Sequence, residues 1–227
     1  MLNEVFTQPI FSFTVCVLAY YAGVKAKMRF NHPTINPLII AALICIGVVM
    51  LLRIPLESFM SGASFISMFL APATAALALS IYRQLDLIKK NIIPILVGCI
   101  VGSVVAITSI ILMCRFLGLD SEITASLVPK SITTAIATQV SQQMGGIPAI
   151  TVAAVITTGI MGTILIPCLM KLIPKTDPLS IGLAIGASAH ALGTAKAVEL
   201  GETEGSLSGI AVVFCGIITV LISIFLK

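Results

Sequence analysis

The sequence predicts an all-α integral membrane protein with about seven transmembrane helices, a re-entrant or broken element and an inverted repeat. Three observations support this prediction. First, 58% of the 227 residues are hydrophobic and only 10% are charged, whereas a soluble domain has roughly 25% charged residues. Second, the apolar runs are long and do not alternate with polar residues, which selects helices over a barrel. Third, one polar segment, residues 121–146, interrupts these runs.

The expected crossings follow from the length of the apolar runs, because about 20 residues span a bilayer. In chain order they are residues 5–24, 37–52, 62–82, 92–114, 147–170, 179–198 and 205–226. Their short linkers indicate a single transmembrane domain over residues 1–227. No basic residue precedes the first run, and this is typical of a retained helix rather than a cleaved export signal.

Residues 121–146 are too polar to face lipid, since hydroxyl and amide side chains recur along them. The basic flanks indicate whether this element crosses. If it dips in and returns, Lys171 and Lys175 join the other basic clusters in the cytoplasm, as the positive-inside rule requires. This assignment places the N-terminus outside, the acidic loop at residues 199–204 outside and the C-terminus in the cytoplasm. Irregular backbone of this kind is tolerated only when it is buried in protein or lines a cavity.

The same topology gives an inverted repeat, with halves at residues 33–118 and 147–227 around the irregular element. The middle crossings of the two halves begin alike, with Gly-Ala-Ser at residues 62–64 and at residues 186–188. Pro72 and Thr74 in one half correspond to Gly193 and Thr194 in the other. Broken helices at matching positions are a sequence pointer to a transporter site, although a simple proline kink explains Pro72 as well.

The first candidate site is centred on Lys130. Pro129 suits the first turn of a half-helix, whose free N–H groups would face the membrane interior. Lys130 and the hydroxyl groups of Ser131, Thr133 and Thr134 would lie at the same end, as a site for a small carboxylate. The alternative is that Lys130 reaches the surface and the hydroxyl groups bond to their own helix. A charge near the bilayer centre costs roughly 2.5–3.5 kcal/mol, which favours the functional interpretation.

The second candidate site is centred on His190, which shares a helix face with Thr194, whose hydroxyl group would bond substrate oxygen atoms. Its ordinary titration range suits proton coupling or a bond to the substrate, and a packing histidine bonded to a carbonyl group is the equal alternative. Lys196 and Glu199 are three residues apart and form an expected surface pair.

The remaining features predict structural roles. Gly145 and Gly146 form a sharp turn that lets the irregular element reverse. The six cysteines lie singly in apolar runs and form no CxxC motif, so packing explains them better than a disulfide or a metal. No catalytic, metal or cofactor motif is present, and we expect neither an enzyme nor a cofactor. The basic residues flank apolar runs, which argues against a nucleic-acid partner despite the net charge of +4.

These motifs resemble those of the LrgB/CidB family of bacterial inner-membrane proteins. The resemblance rests on residues 70–78 with 82–84, on Pro129-Lys130-Ser131-Ile132-Thr133-Thr134, on residues 145–149 and on residues 188–195. One departure is Ala135, where members of the family usually have proline.

The resemblance implies two different functions. One is an antiholin-like regulator of murein hydrolase activity and autolysis, acting with a small LrgA/CidA-type membrane protein. The other is a transporter, or transporter subunit, for small monocarboxylates such as pyruvate, glycolate or glycerate. The cationic pocket inferred from the residues agrees better with the transporter. A homo-oligomer is compatible with either function.

Overall fold

The computed structural model describes residues 8–30, 35, 37–172 and 177–226. Within this part the chain forms helices joined by short turns, and no strand occurs. We number the helices α1 Pro9–Phe30, α2 Pro37–Leu51, α3 Leu56–Ser67, α4 Leu70–Arg83, α5 Leu85–Lys90, α6 Ile92–Phe116, α7 Ser121–Leu127, α8 Thr134–Gln143, α9 Pro148–Leu172, α10 Pro178–Leu200 and α11 Glu202–Ile224.

Five helices in the described residues are long and apolar enough to cross a membrane: α1, α6, α9, α10 and α11. The second predicted crossing, residues 37–52, corresponds to α2, which has 15 residues. The third, residues 62–82, is divided between α3 and α4 at Met68 and Phe69. Pro72 therefore lies in the first turn of α4, where its missing N–H group leaves no bond unmade. The prediction of an all-helical membrane protein is confirmed.

The chain forms two compact units, Met1–Ala76 and Leu77–Lys227. In the first unit, α1 packs against α2 and α3, and glycines allow the close approach. A Cβ atom on Gly23 would lie 2.9 Å from the Pro37 Cα atom, and one on Gly62 would lie 2.6 Å from the Ser12 Cβ atom.

In the second unit, α6 and α11 lie side by side and run in the same direction. Arg83, just before α6, lies 3.9 Å from Glu202 at the start of α11, and further along both helices the Cys215 thiol lies 3.8 Å from the Cys99 carbonyl oxygen. Residue numbers thus rise together along the contact. The two helices therefore begin at the same face of the unit.

Helix α10 does not run straight, because it reverses direction at His190. This residue has φ 42° and ψ −142°, which is not helical. A Cβ atom on Gly193 would lie 2.6 Å from the Ala189 Cβ atom and 3.1 Å from the Ile185 carbonyl oxygen. In a straight helix, residues 185 and 193 would be about 12 Å apart. The second arm of α10 is therefore folded back against the first.

Contacts with α11 confirm the reversal. The first arm runs parallel to α11, with Gly182 beside Glu204 and Gly186 beside Ala211, whereas the second arm runs antiparallel, with Val198 beside Gly205. Each arm is only about 15–18 Å long, and a bilayer core is about 30 Å thick. The predicted crossing at residues 179–198 is therefore a re-entrant hairpin.

The hairpin changes the predicted topology. The Arg83 guanidinium lies 3.9 Å from the Glu202 carboxylate, so the basic residues before α6 and the acidic loop before α11 share one face. The prediction that they lie on opposite sides of the membrane is wrong, because it counted α10 as a crossing. Since α11 starts at this face and spans about 35 Å, its C-terminal end lies at the opposite face.

A double-cysteine variant tests the fold-back. With the native cysteines replaced, Ile181→Cys combined with Ala197→Cys should form a disulfide on oxidation with iodine, because the antiparallel arms bring these positions together. The control pair Ile150→Cys and Ile166→Cys has the same spacing on α9, about 24 Å along a straight helix, and should stay uncrosslinked on a denaturing gel. Equal behaviour of the two pairs would mean that α10 is straight.

Candidate functional site

The predicted irregular element, residues 121–146, is a helical hairpin, which we name the first hairpin; α10 forms the second. Helices α7 and α8 are about 10 and 15 Å long, and a turn at residues 128–133 joins them. The Ile147 N–H group, just after α8, donates a hydrogen bond of 2.7 Å to Ser126 Oγ, near the end of α7. The segment between them leaves and returns to one point. This geometry supports a re-entrant element rather than a crossing.

A buried hydroxyl cluster holds the open end of this hairpin closed. Thr151 Oγ1 of α9 lies 2.9 Å from the Ser126 carbonyl oxygen and 2.7 Å from Ser141 Oγ, and all three residues are fully buried. Gly145 has φ +79°, and a Cβ atom on Gly146 would lie 2.7 Å from the Ser126 backbone nitrogen. The diglycine therefore provides both the turn and the close approach.

Lys130 occupies the tip of the first hairpin. Pro129 before it is fully buried, and the Lys130 ammonium donates a hydrogen bond of 3.3 Å to Ser131 Oγ. Thr133 is the N-cap of α8, and its side chain makes no capping bond. Within the residues that the structure describes, no carboxylate pairs with Lys130. The tip therefore joins a cation to the N-terminal end of a short helix, where an anion is favoured.

His190 occupies the tip of the second hairpin, and its side chain is only 3% exposed. Its Nε2 atom lies 2.9 Å from the Val155 carbonyl oxygen of α9. Because a carbonyl oxygen only accepts, Nε2 must carry the proton. A Cβ atom on Gly159 would lie 2.7 Å from the His190 Cε1 atom, so glycine is what allows the ring to sit against α9.

Thr194 and Gly193 hold the second hairpin together. The Thr194 hydroxyl donates to the His190 carbonyl oxygen at 3.0 Å and accepts from the Ser208 hydroxyl of α11 at 2.8 Å. Gly193 packs directly against the first arm. The structure thus places the Thr194 hydroxyl, a predicted substrate-binding group, between the two arms and a neighbouring helix, with its proton donated to the His190 carbonyl oxygen.

The two hairpins enter from opposite ends of α9 and meet at their tips. The first closes on Thr151, near the start of α9. The open end of the second packs with Ile166 and Met170, near its end. Ala187 and Pro129, one from each tip, line the same small void of about 10 Å³. Lys130 and Ser188, two residues before His190, also line the same cleft.

A cleft of about 370 Å³ lies between the tips and α9. Lys130 and Ser188 contribute from the tips, and α9 lines the rest with Thr157, Thr158, Met161, Gly162, Leu165, Ile166 and Leu169. Lys196 is not part of this lining and pairs with Glu199 at 2.5 Å. A cationic end and hydroxyl groups in a partly enclosed cleft are suited to binding a carboxylate.

The structure brings together some predicted site residues and not others. Lys130, Ser131, Pro129 and the backbone around His190 meet at the two tips, and Thr133 and Thr134 begin the helix beside them. Pro72 lies in the first compact unit, and the Thr74 side chain lies outside the described part. Sequence reasoning missed Thr157, Thr158 and Gly159, although a threonine pair followed by glycine inside an apolar helix is a readable signal.

Fold and site together define a helical membrane protein with two re-entrant hairpins around a cationic cleft. A sequence model of the LrgB-like family matches residues 16–227, and the chain belongs to this family.

Individual relatives match over most of their length. The uncharacterized protein YwbG of Bacillus subtilis is 34% identical over 217 residues, 96% of each chain. YxaC of the same organism is 36% identical over 202 residues, 89% of this chain and 88% of its own. The antiholin-like protein LrgB of Bacillus mycoides is 35% identical over 218 residues, 94% of each chain. No solved structure matches the chain.

Removing the hydroxyl that closes the first hairpin should destabilise the protein. Ser126→Ala leaves the Ile147 N–H group without its partner, which typically costs about 1–3 kcal/mol. Thermal unfolding in detergent measures the effect. Ser109→Ala is the matched control, because Ser109 is exposed and bonds only to its own helix. Equal stability of the two variants would contradict the closing role.

The reversal at His190 predicts that a glycine variant at this position is more stable than an alanine variant. In a regular helix, glycine is about 1 kcal/mol less favourable than alanine. At φ 42° the order should invert, with His190→Gly unfolding at higher temperature than His190→Ala, because only glycine adopts this conformation without strain. Both variants lose the bond to Val155, so their difference reports the backbone alone. A more stable alanine variant would show that α10 is helical at this position.

Proposed function

We propose two functions for this chain, and each rests on a different observation. The names of the relatives favour an antiholin-like regulator in the membrane. The geometry of the site favours a transporter of small monocarboxylates. Neither proposal involves enzymatic catalysis or a cofactor.

The regulator is the function that the comparisons support better. Several relatives with 35% identity over nearly the whole chain are named antiholin-like protein LrgB, and none of the relatives described above is named as a transporter. In this proposal the chain acts with a small LrgA/CidA-type membrane protein to control murein hydrolase activity. It predicts altered autolysis without solute-specific flux.

The transporter is the function that the geometry supports better, and the single observation behind it is the unpaired Lys130 in the cleft. Inside a membrane a charge costs roughly 2.5–3.5 kcal/mol, and in the described residues no carboxylate offsets this cost. A substrate carboxylate would supply the missing charge. The hydroxyl groups of Ser131, beside Lys130, and of Thr157 and Thr158 in the cleft lining would donate to its other oxygen atoms, which suits hydroxy- and keto-acids such as glycolate and pyruvate.

We further propose the bacterial inner membrane as the location, with the Arg83 face in the cytoplasm. Arg83, Lys89 and Lys90 lie where α6 begins, whereas Arg115 is the single basic residue in its last turn. Basic residues favour the cytoplasmic side. The end of α11 then lies outside, which revises the location expected for the C-terminus. For the N-terminus, Lys25 and its basic neighbours at the end of α1 still favour an outside location.

Uptake of labelled pyruvate and glycolate into proteoliposomes, with and without an LrgA/CidA-type partner, separates the two functions. A transporter should give saturable uptake. Lys130→Ala should then lower substrate affinity about 30-fold or more, because loss of one member of a desolvated charge pair costs roughly 2–5 kcal/mol. Lys196→Ala is the control, since its ammonium group already pairs with Glu199, and it should retain uptake.

Two results decide between the functions, namely uptake by Lys130→Ala and lysis of cells that lack the protein. Unchanged uptake in Lys130→Ala would contradict the proposed carboxylate site. Altered detergent-induced lysis on deletion of the protein, together with no saturable uptake of either acid, would support the regulator and oppose the transporter.

A further inference from the structure

The cleft has two ends of different character. At one end, Lys130, Ser188 and the Thr157–Thr158 pair offer a cation and hydroxyl groups. At the other end the lining is apolar and consists of Met161, Leu165, Ile166 and Leu169. These α9 residues recur every three to four positions and so form one stripe. From Thr157 to Leu169 the stripe is about 18 Å long.

This cleft is larger than a three-carbon acid requires. A water molecule occupies about 30 Å³ in the liquid, so 370 Å³ corresponds to roughly a dozen waters. A three-carbon acid such as pyruvate has about half that number of non-hydrogen atoms. With its carboxylate at Lys130, such a ligand would not reach the apolar end, and the leucine side chains there would contribute nothing to its affinity.

We propose that the preferred ligand is an unbranched monocarboxylate with an apolar chain longer than that of pyruvate. Its carboxylate pairs with Lys130, and its chain lies along Leu165 and Leu169. This inference rests on the proposed transport function and narrows its substrate class. It also assigns roles to two residues that no sequence motif singled out.

The charged end distinguishes this ligand from a bilayer lipid. Leu165 and Leu169 are 47% and 52% exposed, and contact with lipid alone would explain two exposed leucines. It would not explain a half-buried ammonium group at the end of the same stripe, next to the tip of a re-entrant hairpin. A single ligand that carries both a carboxylate and a chain accounts for both ends of the cleft.

Competition against labelled pyruvate uptake in proteoliposomes tests the proposal, using the series of unbranched acids from acetate to octanoate. Each added methylene that is buried should lower the inhibition constant about fourfold, until the chain outgrows the cleft. The corresponding alcohols from butanol to octanol enter the bilayer at least as readily as the ionised acids but carry no carboxylate, and they should not inhibit.

Two variants test whether the dependence of inhibition on chain length arises in the cleft. Leu165→Ala combined with Leu169→Ala should flatten the dependence of the inhibition constant on chain length, because both leucines line the apolar end of the cleft. Ile156→Ala is the matched control, because Ile156 lies on α9 with 44% exposure but outside the cleft lining, and it should keep the dependence.

The outcomes distinguish this inference from the proposed function. Saturable pyruvate uptake without any dependence on chain length would overturn the inference and leave the transporter standing. Inhibition by the alcohols as strong as that by the acids would also overturn it, since the cleft would then accept any apolar chain. Absence of saturable uptake for every acid would overturn both.

Discussion

Within a bilayer, the backbone of this protein must form its hydrogen bonds without water. Each reversal of a helix inside a membrane leaves N–H and C=O groups without partners, and lipid cannot supply them. Side chains supply several of these partners. At the second reversal the Thr194 hydroxyl donates to the His190 carbonyl oxygen. At the open end of the first hairpin, Ser126 Oγ accepts from the Ile147 N–H group and the Thr151 hydroxyl lies 2.9 Å from the Ser126 carbonyl oxygen. The buried hydroxyl groups therefore stabilise the two re-entrant hairpins.

Small residues are the second requirement, since two helical arms and their neighbours must approach closely. Gly193 lies where the arms of α10 touch, and Gly159 lies where the His190 ring meets α9. With the arms packed in this way, the two hairpins enter from opposite ends of α9 and bring Lys130 and His190 near each other. Each long helix, α6 or α9, is thus followed by a hairpin of opposite direction. The predicted repeat halves, residues 33–118 and 147–227, remain a prediction.

The sequence predicted the first hairpin but not the second, for a physical reason. Residues 121–146 are polar, and the cost of placing them against lipid can be read from composition alone. Residues 178–200 have the length and apolarity of a crossing, because their reversal needs only glycine, alanine and one histidine. The left-handed conformation of His190 cannot be read from residue type, since such a conformation usually requires glycine. The charge rule then gave the wrong side for the acidic loop because one crossing too many had been counted.

The cation at the hairpin tips bears differently on the two proposed functions. A regulator that acts only through protein contacts would have no need for a cation at the meeting point of two hairpin tips, where its charge is costly. A binding site uses that cost, because a ligand that neutralises the charge gains affinity from the desolvation already incurred. Binding of an anion at Lys130 would also favour one arrangement of the tips over others, and a ligand shifts an equilibrium only through such differential contacts. An antiholin-like role could then follow from an anion-dependent change at this site, in which case Lys130 would matter for both functions.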